Sequence, residues 1–246
     1  MNCMKLLVCD YDNTLYINSL DRWSLIINVK AINKFRSAGN KFMIATGRPY
    51  NSITKEIHKH NIPIDYLSCC DGSLIFKKNN QIKEEVIDDK IWDFLSNLQK
   101  MYSEMDNINI TSNNSLTKTE DRNTFIECDF LLRDTKRMKD IIDIIENTFP
   151  GIAALPFTYK NETRLYVRKK GISKSTSIDY VNSFLSIDKK NIFTIGDHLN
   201  DLEMLRDFNG FKMLWGKKEL DEHVLGRYFL VSDLIDDIIK EKVKRR

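Results

Sequence analysis

Between Lys5 and Gly72 the chain alternates short, continuously apolar runs with segments of helical period. "KLLVCD", "KFMIATG" and "YLSCCDG" show no in–out alternation, so each reads as a strand buried on both faces. "SLIINVKAINKFRSAG" puts Leu25, Val29, Ile32 and Phe35 on one helical face and closes on Gly39. "PYNSITKEIHKHN" reads as a second helix with Pro49 near its first turn. Parallel strands cannot be joined by a tight turn and need a crossover, usually a helix. This order therefore specifies a parallel sheet with helices on its faces.

The pattern stops after Gly72 and resumes at Ser173. In between, "SLIF" and "QIKEEVI" form an expected hairpin around "KKNN", and "DDKIWDFLSNLQKMYSEM" an expected helix. The strand "NINIT", a polar loop from Thr111 to Arg122 and the strand "NTFIECDF" come next. "DTKRMKDIIDIIENTF" reads as a helix capped by Asp134, and "GIAAL" and "RLYVRKK" as strands. Paired short strands with two helices make a small α+β domain. Beyond it come the helix "SKSTSIDYVNSFL", the strand "NIFTIGD", the short helix "NDLEMLRDF", the strand "GFKML", a small strand in "RYFLVSD" and a last helix. The expected fold is α/β: a core of residues 1–76 and 169–246 built from both ends of the chain, interrupted by an inserted domain at 77–168.

Bulk composition excludes several functions. A formal charge of +3, with basic residues only in short groups such as "VRKK" and "KVKRR", gives no nucleic-acid footprint. No apolar stretch reaches the length of a membrane span or a secretory leader. The five cysteines are odd in number and lack ligand-like spacing, which points to a reducing cytoplasm and away from zinc. Trp23 and Trp92 are expected to pack as helix residues. Nothing in the sequence specifies an oligomeric state.

In an open parallel sheet, ligands bind beyond the carboxyl ends of the strands. Four apolar runs here end in similar polar groups: Asp10-Tyr11-Asp12-Asn13-Thr14, Thr46-Gly47-Arg48, Asp71-Gly72, and Gly196-Asp197 followed by Asn200-Asp201. Asp10 and Asp12 are one residue apart, and close carboxylates repel and raise each other's pKa. A cation, or a reaction that uses both, would offset that repulsion. Lys174 stands at a helix start, where the dipole disfavours a cation and a bound anion would offset it.

On these residues the chain resembles the haloacid dehalogenase-like phosphohydrolases, in particular their Cof-like branch with an α+β cap. The family's DxDxT reads "DYDNT", its second-motif Thr reads "ATGRP", its Lys reads "GISKS", and its GDxxND reads "GDHLND", all in order. The resemblance covers nearly the whole chain and implies a Rossmann-like core with an inserted cap. It also implies a Mg²⁺-dependent phosphomonoester phosphatase acting on a small soluble metabolite, with a sugar phosphate favoured. Asp10 is then the nucleophile that carries an aspartyl phosphate, and Asp12 the general acid and base. Thr46, Gly47, Lys174 and Asn200, with Asp10, hold the phosphate. Asp10, Asp197 and the Asp12 carbonyl bind Mg²⁺, and Asp201 supports the site. Arg48 and Asp71 face the substrate.

Some positions depart from the family. Asp71-Gly72 stands where Asn-Gly is common, and a further acid there disfavours very anionic substrates or holds Arg48. Lys212 and Trp215 in "NGFKMLWGKKEL" are bulkier than the small residues usual there, and His198 lies inside the fourth motif. A phosphotransferase such as a phosphosugar mutase is the alternative. A dehalogenase has no use for Asp12, and a binding module no use for the full set.

Overall fold

The computed structural model describes residues 3–88, 90–112, 125–159, 162–243 and 245–246. Its larger sheet has eight strands: β1 (Leu6–Cys9), β2 (Lys41–Ala45), β3 (Tyr66–Cys69), β4 (Leu74–Lys77), β5 (Asn80–Glu84), β10 (Ile192–Gly196), β11 (Asn209–Met213) and β12 (Gly226–Tyr228). Their order is β12-β11-β10-β1-β2-β3-β4-β5. The first six strands of that order run parallel, and β4 and β5 add antiparallel. Both ends of the chain thus meet at β1 and β10, as the interrupted pattern requires.

Six of the helices are α1 (Asp21–Ser37), α2 (Tyr50–Lys59), α4 (Met138–Thr148), α5 (Lys174–Leu185), α6 (Leu202–Asp207) and α7 (Val231–Ile239). On one face of the large sheet, Leu7, Cys9, Phe42, Ile44, Phe193 and Ile195 pack with Ile32 and Phe35 of α1, Ile53 of α2 and Leu234 of α7. On the other, Leu6, Val8, Met43, Ala45 and Ile192 pack with Ile178 of α5 and Met204 of α6. Successive strand residues feed opposite cores, which is why these runs are apolar throughout. Gly39 follows α1 at φ +83°, the left-handed stop expected of it.

The smaller sheet is antiparallel, in the order β6 (Met105–Ser112), β7 (Phe125–Leu132), β9 (Glu162–Lys169), β8 (Ile152–Tyr159). Helices α3 (Lys90–Met101) and α4 cover one face, with Ile91, Leu95, Ile141 and Ile145 packing on Cys128, Phe130, Leu165 and Val167. Pro156 is tolerated inside β8 because β8 is an edge strand.

Three expectations need correction. The hairpin read as the entry to the inserted domain extends the large sheet, because β4 pairs antiparallel with β3; a boundary after residue 76 therefore cuts it. Asp134 does not cap α4: it accepts a hydrogen bond from the Lys136 amide in the preceding turn, at 2.9 Å. Trp23 is 54% exposed on α1, whereas Trp92 packs against the small domain's core. Most of the polar loop expected from Thr111 to Arg122 lies outside the described residues.

Candidate active site

The carboxyl ends of β1, β2, β3 and β10 open into one cavity of about 690 Å³. Asp10, Asp12, Thr46, Gly47, Arg48, Asp71, Asp197, His198 and Asn200 line it from the large sheet, and Leu155, Phe157, Tyr166 and Arg168 from the small one. All four strand ends singled out in the sequence thus converge. Arg168, Tyr166 and Phe157 were not anticipated. For Tyr166 and Arg168 the signal was present in "RLYVRKK", where Leu165 and Val167 alternate with polar residues in the two-residue period of a half-buried strand; Phe157 lies on β8 and had no such signal.

At the centre, Lys174 is 1% exposed and its ammonium lies 2.6 Å from both Asp10 Oδ1 and Asp201 Oδ1. Two of the protein's own carboxylates, rather than a bound anion, offset this cation at the helix start. Ser173 caps α5 through the Thr176 amide and fixes where the lysine begins. Burial alone would lower the lysine's pKa, but Asp10 and Asp201 more than offset it and keep the group charged. Asp201 is fully buried, and its second oxygen accepts the amides of Asp197 and His198 at 2.9 and 3.0 Å. Gly196 is required there, since a Cβ would fall 2.3 Å from that oxygen.

Asp10, Asp197 and Asp201 present carboxylate oxygens within 4.8 Å of one another. Burial pushes the Asp10 carboxyl well up against the pull of Lys174, and Asp201 and Asp197 add to the rise. Asp197 is pushed up to about 7, first by burial and then by Asp201, while the Thr14 hydroxyl that donates to it at 3.0 Å works the other way. Both Asp201 oxygens are already engaged, whereas Asp10 and Asp197 each keep an oxygen outside these bonds. Such hard oxygen donors, with no nitrogen or sulfur among them, suit Mg²⁺.

Arg48 does not pair with Asp71. Its fork grips Asp12, with Nε 2.7 Å from one oxygen and a terminal nitrogen 2.5 Å from the other. The Arg48 amide bonds to the Thr46 hydroxyl at 3.1 Å. Asp71 instead receives Arg168 at 3.0 Å and the Asn200 amide group at 2.9 Å. Gly47 leaves room for it, since a Cβ there would lie 3.3 Å from Asp71 Oδ1. His198 lines the cavity with its ring centroid 4.5 Å from that of Phe157, and burial holds its pKa below the ordinary value.

Lys212 and Trp215 are structural. Lys212 is 2% exposed, donates to the Gly216 and Lys217 carbonyls and pairs with Asp221. Trp215 ties its loop to the Asn13 carbonyl at 2.9 Å.

The family model for haloacid dehalogenase-like hydrolases matches residues 7–121 and 95–224. A phosphatase-named protein of Buchnera aphidicola subsp. Baizongia pistaciae is 27% identical over 207 residues, covering 74% of this chain and 75% of its own. A phosphatase-named protein of Mycoplasma genitalium is 24% identical over 213 residues, covering 72% of each. Among solved structures, the phosphatase BT1666 of Bacteroides thetaiotaomicron superposes with a TM-score of 0.79 at 17% identity, over 97% of this chain and 95% of its own. The sugar phosphatase BT4131 gives 0.76 at 18%, over 95% and 98%. At such identities the superpositions speak for the fold alone.

Proposed function

Because the chain belongs to the haloacid dehalogenase-like hydrolases, in their Cof-like branch, and is a phosphatase by that kinship, we propose that it is a Mg²⁺-dependent phosphomonoester hydrolase. Its substrate is a small phosphorylated metabolite, with sugar phosphates first in line. The observation that carries the reading is the buried Lys174 bridge between Asp10 and Asp201, beside the free oxygens of Asp10 and Asp197. A structural ion pair has no need of a third, partly unmatched carboxylate at its edge.

In this reading the Asp10 carboxylate attacks phosphorus. The ester P–O bond breaks, the phosphoryl group passes to Asp10, and Asp12 gives its proton to the departing oxygen. Water then attacks the aspartyl phosphate, Asp12 takes its proton, and inorganic phosphate leaves. Arg48 must free one Asp12 oxygen for either transfer, and a phosphate entering beside Thr46 and Gly47 offers that guanidinium another anion. Lys174 offsets charge on Asp10 and on the transferred group. Asp10, Asp197 and the Asp12 carbonyl would hold Mg²⁺, which when bound lowers the repulsion between carboxylate and phosphate. Asn200 and Asp201 orient the site. The small domain serves as a cap that brings Phe157, Tyr166 and Arg168 over the leaving group and limits water.

None of the five cysteines is in a disulfide, and we assign the enzyme to the cytoplasm. No described helix is long and apolar enough to cross a membrane. The test is phosphate release from a panel of phosphorylated metabolites, with Mg²⁺ and with EDTA. Release that needs Mg²⁺ and no phosphorylated acceptor supports the phosphatase. Release that appears only with such an acceptor identifies a phosphotransferase, and full activity in EDTA overturns the metal assignment.

A further inference from the structure

The register of the small sheet fixes which side chains face the cavity. In β9, Leu165 and Val167 pack under the helices, so Arg164, Tyr166 and Arg168 take the opposite face. In β7, Cys128, Phe130 and Leu132 pack inward, which leaves Glu127 and Asp129 on the cavity side. Glu127 stands directly across from Arg168, and Asp129 across from Tyr166.

Both described arginines on this face of β9 are already matched. Arg164 pairs with Asp129 in the same sheet. Arg168 reaches out of its own sheet to Asp71, on the turn after β3. It is 8% exposed, and its Nε is buried without a partner in a cavity-lining side chain. Asp71 cannot easily turn away: its amide donates to the Thr46 carbonyl at 3.0 Å and its φ is +50°. Its other oxygen accepts from Asn200. Glu127, 4% exposed, is a second acid beside Arg168.

The described lining of the cavity carries the cations Arg48 and Arg168 and the acids Asp10, Asp12, Asp71, Asp197 and Glu203. Both arginines are held by acids. Once Lys174, Arg48 and a metal have served the phosphoryl group, no unmatched cation in this described lining remains for a second anion.

We propose that Asp71 and Arg168 are a specificity-determining pair: Asp71 masks the cap's cavity-lining arginine, so the enzyme accepts phosphate monoesters with an uncharged leaving group and rejects those bearing a second phosphate or carboxylate. The inference rests on the phosphomonoesterase reading above. A second anion that reached Arg168 would displace Asp71 and leave its half-buried carboxylate, 17% exposed, without a countercharge. Rejection by a charge that would be stranded is a general route to selectivity. Asparagine at position 71 would keep the contact to Asn200 and set Arg168 free.

The test compares fructose 6-phosphate with fructose 1,6-bisphosphate, as substrates and as competitive inhibitors of p-nitrophenyl phosphate hydrolysis. The proteins are wild type, Asp71→Asn, Asp71→Asn with Glu127→Gln, and Asp71→Asn with Arg168→Gln. Wild type should favour the monophosphate. Asp71→Asn should shift the preference toward the bisphosphate by at least about tenfold, or about 1.4 kcal/mol. Glu127→Gln should enlarge the shift, since Glu127 is otherwise positioned to take over as partner of Arg168. Adding Arg168→Gln should cancel it. An unchanged preference in both releasing variants, or a shift that survives Arg168→Gln, overturns the pair while p-nitrophenyl phosphate is still hydrolysed. If wild type hydrolyses none of the three esters with Mg²⁺, the phosphatase reading fails first and the inference with it.

Discussion

Replacing Lys174 with methionine keeps most of the buried stem and deletes only the ammonium. That ammonium lies 2.6 Å from each of two carboxylates whose side chains are 9% and 0% exposed. Removing one partner of a buried ion pair costs roughly 3–5 kcal/mol, because the other charge is left unpaired. Two orphaned carboxylates set the expectation in the upper part of that range. In a chain of this size each kcal/mol moves Tm by about 2–4 °C, so Lys174→Met should lower Tm by roughly 8–20 °C. Thermal unfolding in EDTA at neutral pH reads this without any contribution from a metal. The double variant Lys174→Met with Asp201→Asn should recover part of the loss, since it removes one orphaned charge and keeps an oxygen for the Asp197 and His198 amides. Phosphate release in Mg²⁺ should fall by about 10²-fold or more, the scale of losing one preorganised electrostatic contact. A Tm within about 2 °C of wild type, or a double variant no more stable than the single one, would refute the claim that charge holds this site together.

Asp12→Asn should reduce kcat most for alkyl phosphates, whose leaving oxygen needs a proton, and less for an aryl phosphate; an equal loss on both would leave Asp12 no more than an anchor for Arg48. Glu127 has its carboxyl pushed up to about 8, by burial and then by Asp71, with Arg168 opposing. The folded protein therefore holds that proton more tightly than the unfolded chain, and stability from this group is lost as pH rises from about 4.3 toward 8. Wild type should lose several degrees of Tm relative to Glu127→Gln across that window; parallel Tm profiles for the two proteins would contradict the shift.

The core was readable because its strands are buried on both faces and write that fact as unbroken apolar runs. "KLLVCD" and "NIFTIGD" could hardly be anything else, and their polar ends fall together because parallel strands all finish on one rim. The hairpin β4–β5 misled because a hairpin pairs locally, and local pattern does not say which sheet it joins. Arg48 and Asp71 were both read as cavity residues, but which acid each arginine meets depends on side-chain reach across the rim, which spacing does not encode. Arg168 was overlooked because "VRKK" looks like a solvated basic group, although its alternation with Val167 and Leu165 marks one face. Trp23 was misjudged by residue type alone, since the face marked by Leu25, Ile32 and Phe35 lies across the helix from it.

The most direct test of the account is phosphate release by wild type and Asp10→Asn, each in Mg²⁺ and in EDTA, on the best ester of the panel. The substitution keeps the side chain's size and an oxygen for Lys174, so the variant should remain folded by circular dichroism. Turnover by wild type in Mg²⁺ alone, with none above background for Asp10→Asn in either buffer, is the predicted result. Turnover by a folded Asp10→Asn at a rate near wild type would contradict a mechanism that passes the phosphoryl group through Asp10.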